Sequence, residues 1–428
     1  MRCGHPGFHN QLFSGFNQYS LAGDMLTSSM NGTMYTYEMA PCFTMMENEL
    51  FDLLRKNIGW EFSDGVLTPG GSFANFYAMV VSRHHKFPEV KKKGVHSFPP
   101  MRVFSSEHSH YSFEKAAITL GLGTDSVIKV PCNDNGEMIP AELERCIKES
   151  LERGEAPFMI NATVGTTVVA TVDPIAEIAP IAKKYNLWLH ADAALGGPAF
   201  FETDRHYRVK GSEHLDSITW DPHKALQIPL QCSLFLTKHD GVMAASNSMN
   251  APYLFHKDRT NYSPTLDTGD KTLQCGRHID IFKLWVYFKS RGMNQIIKDT
   301  NQCYTNAKAL ETYVKDRPES WILCYETVLY NVCYYYIPKV MRGWKKDTPE
   351  EKEAYYTALG KIIVEIKKKQ VDGGKIMIGY AKTSNYKHPF LRMVCTNPNN
   401  RPEELCAEME LLAQYGEEAA VELGIKEQ

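Results

Sequence analysis

An α/β fold with a mostly parallel central sheet, followed by a small C-terminal α+β domain, is predicted by three features of the sequence. Between about residues 100 and 240, short apolar runs alternate with helical stretches, the pattern of strands joined by helical crossovers. Polar residues of chemical interest fall just after several of those runs, where parallel sheets bind their ligands. Beyond about residue 296 the alternation gives way to a long helix and three strand-like runs with helices between and after them. The resulting division is a lead-in over 1–45, a large domain over 46–295 and a small domain over 296–428.

Residues 1–45 are aromatic-rich and punctuated by Gly and Asn without a clean period, which predicts an extended segment packed on another part of the chain. From Met45 to Ile58 the apolar positions recur at helical spacing, and Gly59 ends the helix. Gly65-Val66-Leu67-Thr68 leads through Pro69-Gly70-Gly71-Ser72 into a helix over Phe73–Arg83. That is either a plain N-cap with Ser72 as the capping residue or a helix start whose free N–H groups hold a phosphate. Strands are expected at Met101–Ser105, Ser126–Val130, Phe158–Ala162, Leu187–Ala191, Ser217–Trp220 and Cys232–Thr237, and helices at Pro140–Arg153 and Asp173–Tyr185. In the last third, helices are expected at Asp280–Lys289, Met293–Tyr313, Pro349–Lys369 and Pro402–Gln414, and strands at Tyr330–Ile337, Lys375–Tyr380 and around Arg392. The Lys367-Lys368-Lys369 run is expected to be a solvated helix end.

Composition excludes several classes. The chain has 428 residues, 43% hydrophobic and 23% charged, enough for a large core. A net charge of -3 and a pI near 6.6 offer no basic surplus for nucleic acid. The 11 cysteines are odd in number and lack Cys-x-x-Cys or zinc-like spacing, so reduced thiols, no metal and a cytoplasmic location are expected. No apolar run reaches about 18 residues and the first residues are not a signal peptide, so no membrane association is expected.

Two stretches carry the chemistry. In Ser217-Ile218-Thr219-Trp220-Asp221-Pro222-His223-Lys224 a buried strand is stopped by Pro222, which positions Lys224 at its end. Asp192 emerges directly from Leu187-Trp188-Leu189-His190-Ala191 among small residues; it either caps the next helix or pairs with a flat cationic ligand lying close to the backbone. A lysine amine, a ring-nitrogen partner at Asp192, an imidazole at His110 and an anion site at Gly71-Ser72 together describe a site for pyridoxal phosphate. In that chemistry the lysine forms a Schiff base and the ring is the electron sink.

Ser109-His110-Tyr111-Ser112, Asn161-Ala162-Thr163-Val164-Gly165-Thr166-Thr167, Trp188-Leu189-His190-Ala191-Asp192-Ala193-Ala194, Asp221-Pro222-His223-Lys224, Tyr253-Leu254-Phe255 and Asp267-Thr268-Gly269-Asp270-Lys271 occur in the order of the group II pyridoxal-phosphate decarboxylases. Over about residues 4–416 the chain resembles that family, in particular its glutamate and cysteine sulfinate decarboxylases. The resemblance implies a fold type I, aminotransferase-like homodimer with sites at the interface. It implies Lys224 as the cofactor lysine, Asp192 as partner of the ring nitrogen, His110 stacked on the ring with Ala194 beneath, and Thr163 at the ring substituents. Gly71, Ser72 and His223 would hold the phosphate, with Asp221 beside them. Tyr253 matches the mobile-loop tyrosine that protonates the substrate α-carbon across the dimer, in a loop over about 246–266 that excludes water.

A small acidic amino acid is the substrate implied. Arg392 matches the arginine that grips a substrate carboxylate, although as a bare residue it could equally be a structural ion pair. Gln11 and Phe13 would line the far end of the pocket. Gln11-Leu12-Phe13-Ser14-Gly15 is similar to the cysteine sulfinate enzymes, whereas Ser109, Asn161-Ala162-Thr163 and Cys275-Gly276-Arg277-His278-Ile279-Asp280 are similar to the glutamate enzymes. Decarboxylation of glutamate to 4-aminobutanoate is the expectation, with cysteine sulfinate or aspartate as alternatives. Three departures favour another possibility, a catalytically silent homologue acting as a regulatory or dimerising partner. Asp221 stands where the family has Asn, Leu195 where it has Trp or Tyr, and the chain begins where the family's N-terminal helical segment would be ending, which implies a weaker dimer.

Overall fold

Strands buried on both faces need unbroken apolar runs, and the runs in this chain produce a sheet of that kind. The computed structural model describes residues 1–201, 206–256 and 261–427. β1 (Phe8–His9) belongs to a smaller sheet. The larger sheet comprises β2 (Asp64–Thr68), β3 (Met101–Ser106), β4 (Val127–Val130), β5 (Ala156–Thr163), β6 (Trp188–Asp192), β7 (Ser217–Trp220) and β8 (Ser233–Thr237). Its order is β2-β8-β7-β6-β5-β3-β4; β4, β3, β5, β6 and β7 run parallel, and β8 and β2 add an antiparallel edge. All six strands expected in this region are present, with ends displaced by at most two residues.

The remaining strands, β9 (Trp321–Leu323), β10 (Asn331–Tyr336), β11 (Met377–Ala381) and β12 (Phe390–Val394), form the second sheet, in the order β1-β11-β12-β10-β9. It packs on the helices Met293–Lys315, Pro349–Gly373 and Pro402–Glu422 around a core that includes Tyr334, Tyr355, Ile362 and Phe390. Among the described residues no helix is long and apolar enough to cross a membrane.

The lead-in is not simply extended. It contains helix α1 (Gln18–Met30), capped by the Asn17 side chain, which accepts from the N–H groups of Tyr19 and Ser20. Its buried face consists of Ser20, Gly23 and Thr27, while Met25 and Leu26 are exposed, so apolar periodicity pointed away from the packing face. Small residues are required there because the helix Asp280–Arg291 passes close by. A Cβ on Gly23 would lie 2.8 Å from the Lys283 Cα.

A buried ion pair ties α2 (Pro41–Ile58) to the stretch before that helix. Arg277 donates to both oxygens of Glu47, at 2.6 and 3.0 Å, and the Leu67 N–H donates to the same carboxylate. Burial alone would raise the Glu47 pKa, but the Arg277 charge and hydrogen bonds hold it below the usual carboxylate range. Replacing Glu47 with Leu strands a buried guanidinium and should cost about 3–5 kcal/mol. A lower urea midpoint with an unchanged slope is the expected readout.

Candidate active site

Parallel pairing sets Thr163 of β5 opposite Asp192 of β6, and Asp192 opposite Thr219 of β7, so three carboxyl strand ends lie side by side. They border a cavity of about 220 Å³. Helix α3 (Gly71–Lys86) begins at the cavity with Gly71 and Ser72. Its N-cap is Gly70 at φ 99°, and no side chain caps it, so Ser72 is not the capping residue. The 16-residue helix therefore presents unpaired N–H groups and its positive dipole end toward the cavity.

Asp192 is buried with both oxygens occupied: Oδ2 accepts from Asn75 Nδ2 (2.9 Å) and Oδ1 from the Ala194 N–H (3.1 Å). His110 follows β3 and takes the Ser112 N–H on Nδ1 at 3.2 Å. Burial lowers its pKa, with the Asp192 charge opposing, so the ring is neutral and carries its proton on Nε2. Pro222 starts a four-residue helix that brings Lys224 to the cavity. Lys224 Nζ lies 3.1 Å from Asp221 Oδ2. His223 donates from Nδ1 to the Cys232 carbonyl at 2.7 Å, and burial lowers its pKa as well. Asp221 is buried against the start of α3: a Cβ on Gly71 would come within 2.5 Å of Asp221 Oδ2, and Asp221 Oδ1 has no hydrogen-bond partner.

All nine residues expected to bind cofactor, Gly71, Ser72, His110, Thr163, Asp192, Ala194, Asp221, His223 and Lys224, border this one cavity. The donor set suits pyridoxal phosphate at three points: an amine for its aldehyde, a buried carboxylate for its ring nitrogen, and a free helix N-terminus for its phosphate. At the phosphate end Asp221 opposes the fit, because it brings negative charge to the same helix start.

Four expected residues lie elsewhere. Gln11 is exposed and Phe13 half-buried, and neither borders the cavity. Tyr253 is 83% exposed and also outside it, and the expected lid over 246–266 includes positions 257–260, outside the described residues. Arg392, on β12, reaches the cavity wall indirectly: its Nη1 donates to the carbonyl of Thr167, which borders the cavity, and its Nη2 to the carbonyl of Asn10. Its Nε has no partner, and among the described residues no carboxylate pairs with it.

Two polar residues near the site escaped sequence reasoning. Asn75 stands one helical turn after Ser72, and that spacing within a buried apolar run was the available signal. Lys367 is not part of a solvated helix end; its Nζ bonds Asn10 Oδ1 and the Ile378 carbonyl, and burial followed by the Arg392 charge lowers its pKa.

The sequence profile described as the pyridoxal-dependent decarboxylase conserved domain matches residues 1–337. The chain belongs to the pyridoxal-dependent decarboxylases. The crystal structure of mouse CSAD (cysteine sulfinic acid decarboxylase) superposes with a TM-score of 0.91 at 38% identity, covering 97% of this chain and 85% of that one. Oryza sativa TDC with PLP and tryptamine gives a TM-score of 0.86 at 22% identity, covering 97% and 84%. The glutamate decarboxylase domain of a Vibrio parahaemolyticus protein gives 0.80 at 20%, covering 98% and 82%. The last two share the fold. The protein is thus a fold type I, pyridoxal-phosphate-dependent amino-acid decarboxylase, a carboxy-lyase.

Proposed function

We propose that this decarboxylase removes the α-carboxyl group of a small acidic amino acid, with cysteine sulfinate ahead of glutamate. Arg392 carries the reading: a half-buried arginine whose Nε is buried without a hydrogen-bond partner, and which no carboxylate meets among the described residues, calls for an anion from outside. Lys367 adds a second positive charge beside it. The order of substrates departs from the sequence expectation. Several residues that resembled the glutamate enzymes do structural work: Arg277 pairs with Glu47, Asp280 with Lys283, and Ser109 accepts from Lys129 at the surface. The similarity to mouse CSAD and the Gln11–Gly15 pattern support cysteine sulfinate.

Bound pyridoxal phosphate supplies the electron sink for the bond that breaks. Lys224 would hold its aldehyde, Asp192 would pair with the ring nitrogen, His110 and Ala194 would take the two faces of the ring, and Gly71, Ser72 and His223 would take the phosphate. Tyr253, exposed on its own subunit, is assigned to the partner's site in a cytoplasmic homodimer, where it returns a proton to the substrate α-carbon. Mixing Lys224→Ala subunits with Tyr253→Phe subunits should therefore recover activity that neither has alone.

Carbon dioxide release from cysteine sulfinate, glutamate, aspartate and an aromatic amino acid tests the substrate class. Turnover of the aromatic substrate without the acidic ones would overturn it. Arg392→Leu should lower kcat/KM for the acidic substrate by about 30-fold to several thousandfold, the 2–5 kcal/mol of a truncated buried charge pair. A second reading, a catalytically silent homologue, is favoured by Asp221, which is buried against the helix start that would take the phosphate.

A further inference from the structure

Behind Asp192 lies a chain of hydrogen bonds with one consistent direction. Asp192 Oδ2 can only accept, so the Asn75 amide must turn its Nδ2 toward it, at 2.9 Å; the other Nδ2 hydrogen goes to Ser112 Oγ, also at 2.9 Å. That leaves Asn75 Oδ1 facing His190 Nε2 at 3.3 Å, so His190 must donate from Nε2. His190 Nδ1 is then an acceptor and takes the hydroxyl proton of Ser217, at 2.8 Å. Ser217 Oγ in turn accepts from Trp188 Nε1, which can only donate, at 2.7 Å. All six residues are buried, and burial drives the His190 pKa down to about 3, so the imidazole stays neutral and its tautomer fixed.

We propose that Asn75 and His190 are positioning residues for the cofactor. The polarised chain Trp188–Ser217–His190–Asn75 ends on Asp192 and holds that carboxylate aimed at the ring nitrogen. Asn75 also stands one turn beyond Ser72 on α3, so the same amide ties the phosphate end of the cradle to the ring-nitrogen end. Successive dipoles in a dry interior strengthen one another, and the amide donor fixes the orientation of the carboxylate it bonds. The inference rests on Asp192 facing the ring nitrogen, and its test separates the two claims.

Equilibrium affinity is measured for pyridoxal phosphate and for its 1-deaza analogue, which has carbon in place of the ring nitrogen. The proteins compared are the parent, Asp192→Ala, Asn75→Leu, His190→Leu, His190→Gln and Ser217→Ala. Asn75→Leu should weaken pyridoxal phosphate about tenfold to a hundredfold while leaving the analogue nearly unchanged. His190→Leu and Ser217→Ala should move the same way by less, and His190→Gln, whose amide can still donate to Asn75 Oδ1, should recover most of the loss. Equal weakening of both cofactors by Asn75→Leu would mean a structural role only and overturn the proposal. Discrimination by Asp192→Ala but by none of the Asn75 and His190 variants would overturn it too, leaving the role of Asp192 intact. If Asp192→Ala itself fails to discriminate, the ring-nitrogen assignment falls and the proposal with it.

Discussion

Asp221→Asn should tighten pyridoxal phosphate binding by up to about a thousandfold. Asp221 is 2% exposed, sits against the first residue of α3, and has one oxygen without any hydrogen-bond donor. Its stabilising partner is Lys224, at 3.1 Å. Bound cofactor would turn that amine toward its aldehyde and bring phosphate to the same helix start, so the carboxylate would gain an anion as a neighbour. A charge pair at about 4 Å and an effective dielectric near 20 costs roughly 4 kcal/mol, close to three decades in affinity. Asparagine keeps the volume, removes the repulsion and adds a donor. Titrating both apo-proteins with pyridoxal phosphate and following visible absorption gives the comparison. Equal affinities would mean that Asp221 turns away from the phosphate. Activity that appears only in the Asn variant would identify the natural protein as the silent homologue.

What could be read from the sequence, and what could not, follows from how far apart the interacting residues lie. β5, β6 and β7 are buried along nearly their whole length, so their apolar runs are continuous and visible. The cavity residues were visible for a related reason: Thr163 and Asp192 end their strands, and Lys224 follows within four residues of β7. Helix α1 was hidden because its packing face is built of Ser20, Gly23 and Thr27, whose role is close approach and not apolar burial. Asn75 was hidden because its partners, Ser112, His190 and Asp192, are brought to it only by the fold. Arg392 was visible as a motif residue, but its bare residue type left an ion pair open; the fold supplies no carboxylate among the described residues.

Lys224→Ala should abolish both the visible band of bound cofactor and decarboxylation, lowering kcat by several orders of magnitude. Lys224 is the only lysine bordering the cavity among the described residues, so no neighbouring amine can replace it. Loss of activity alone would be ambiguous, because the same substitution leaves Asp221 buried without its cation and should cost about 3–5 kcal/mol of stability. Two further variants separate chemistry from folding. Lys224→Arg keeps a cation for Asp221 and should remain near the parent in urea midpoint, yet it lacks the primary amine and should be as inactive as the Ala variant. The double variant Lys224→Ala/Asp221→Asn removes both charges and should recover most of the lost stability while remaining inactive. Stability changes that simply add would show that the pair is not coupled, and activity persisting in Lys224→Arg would remove Lys224 from the chemistry.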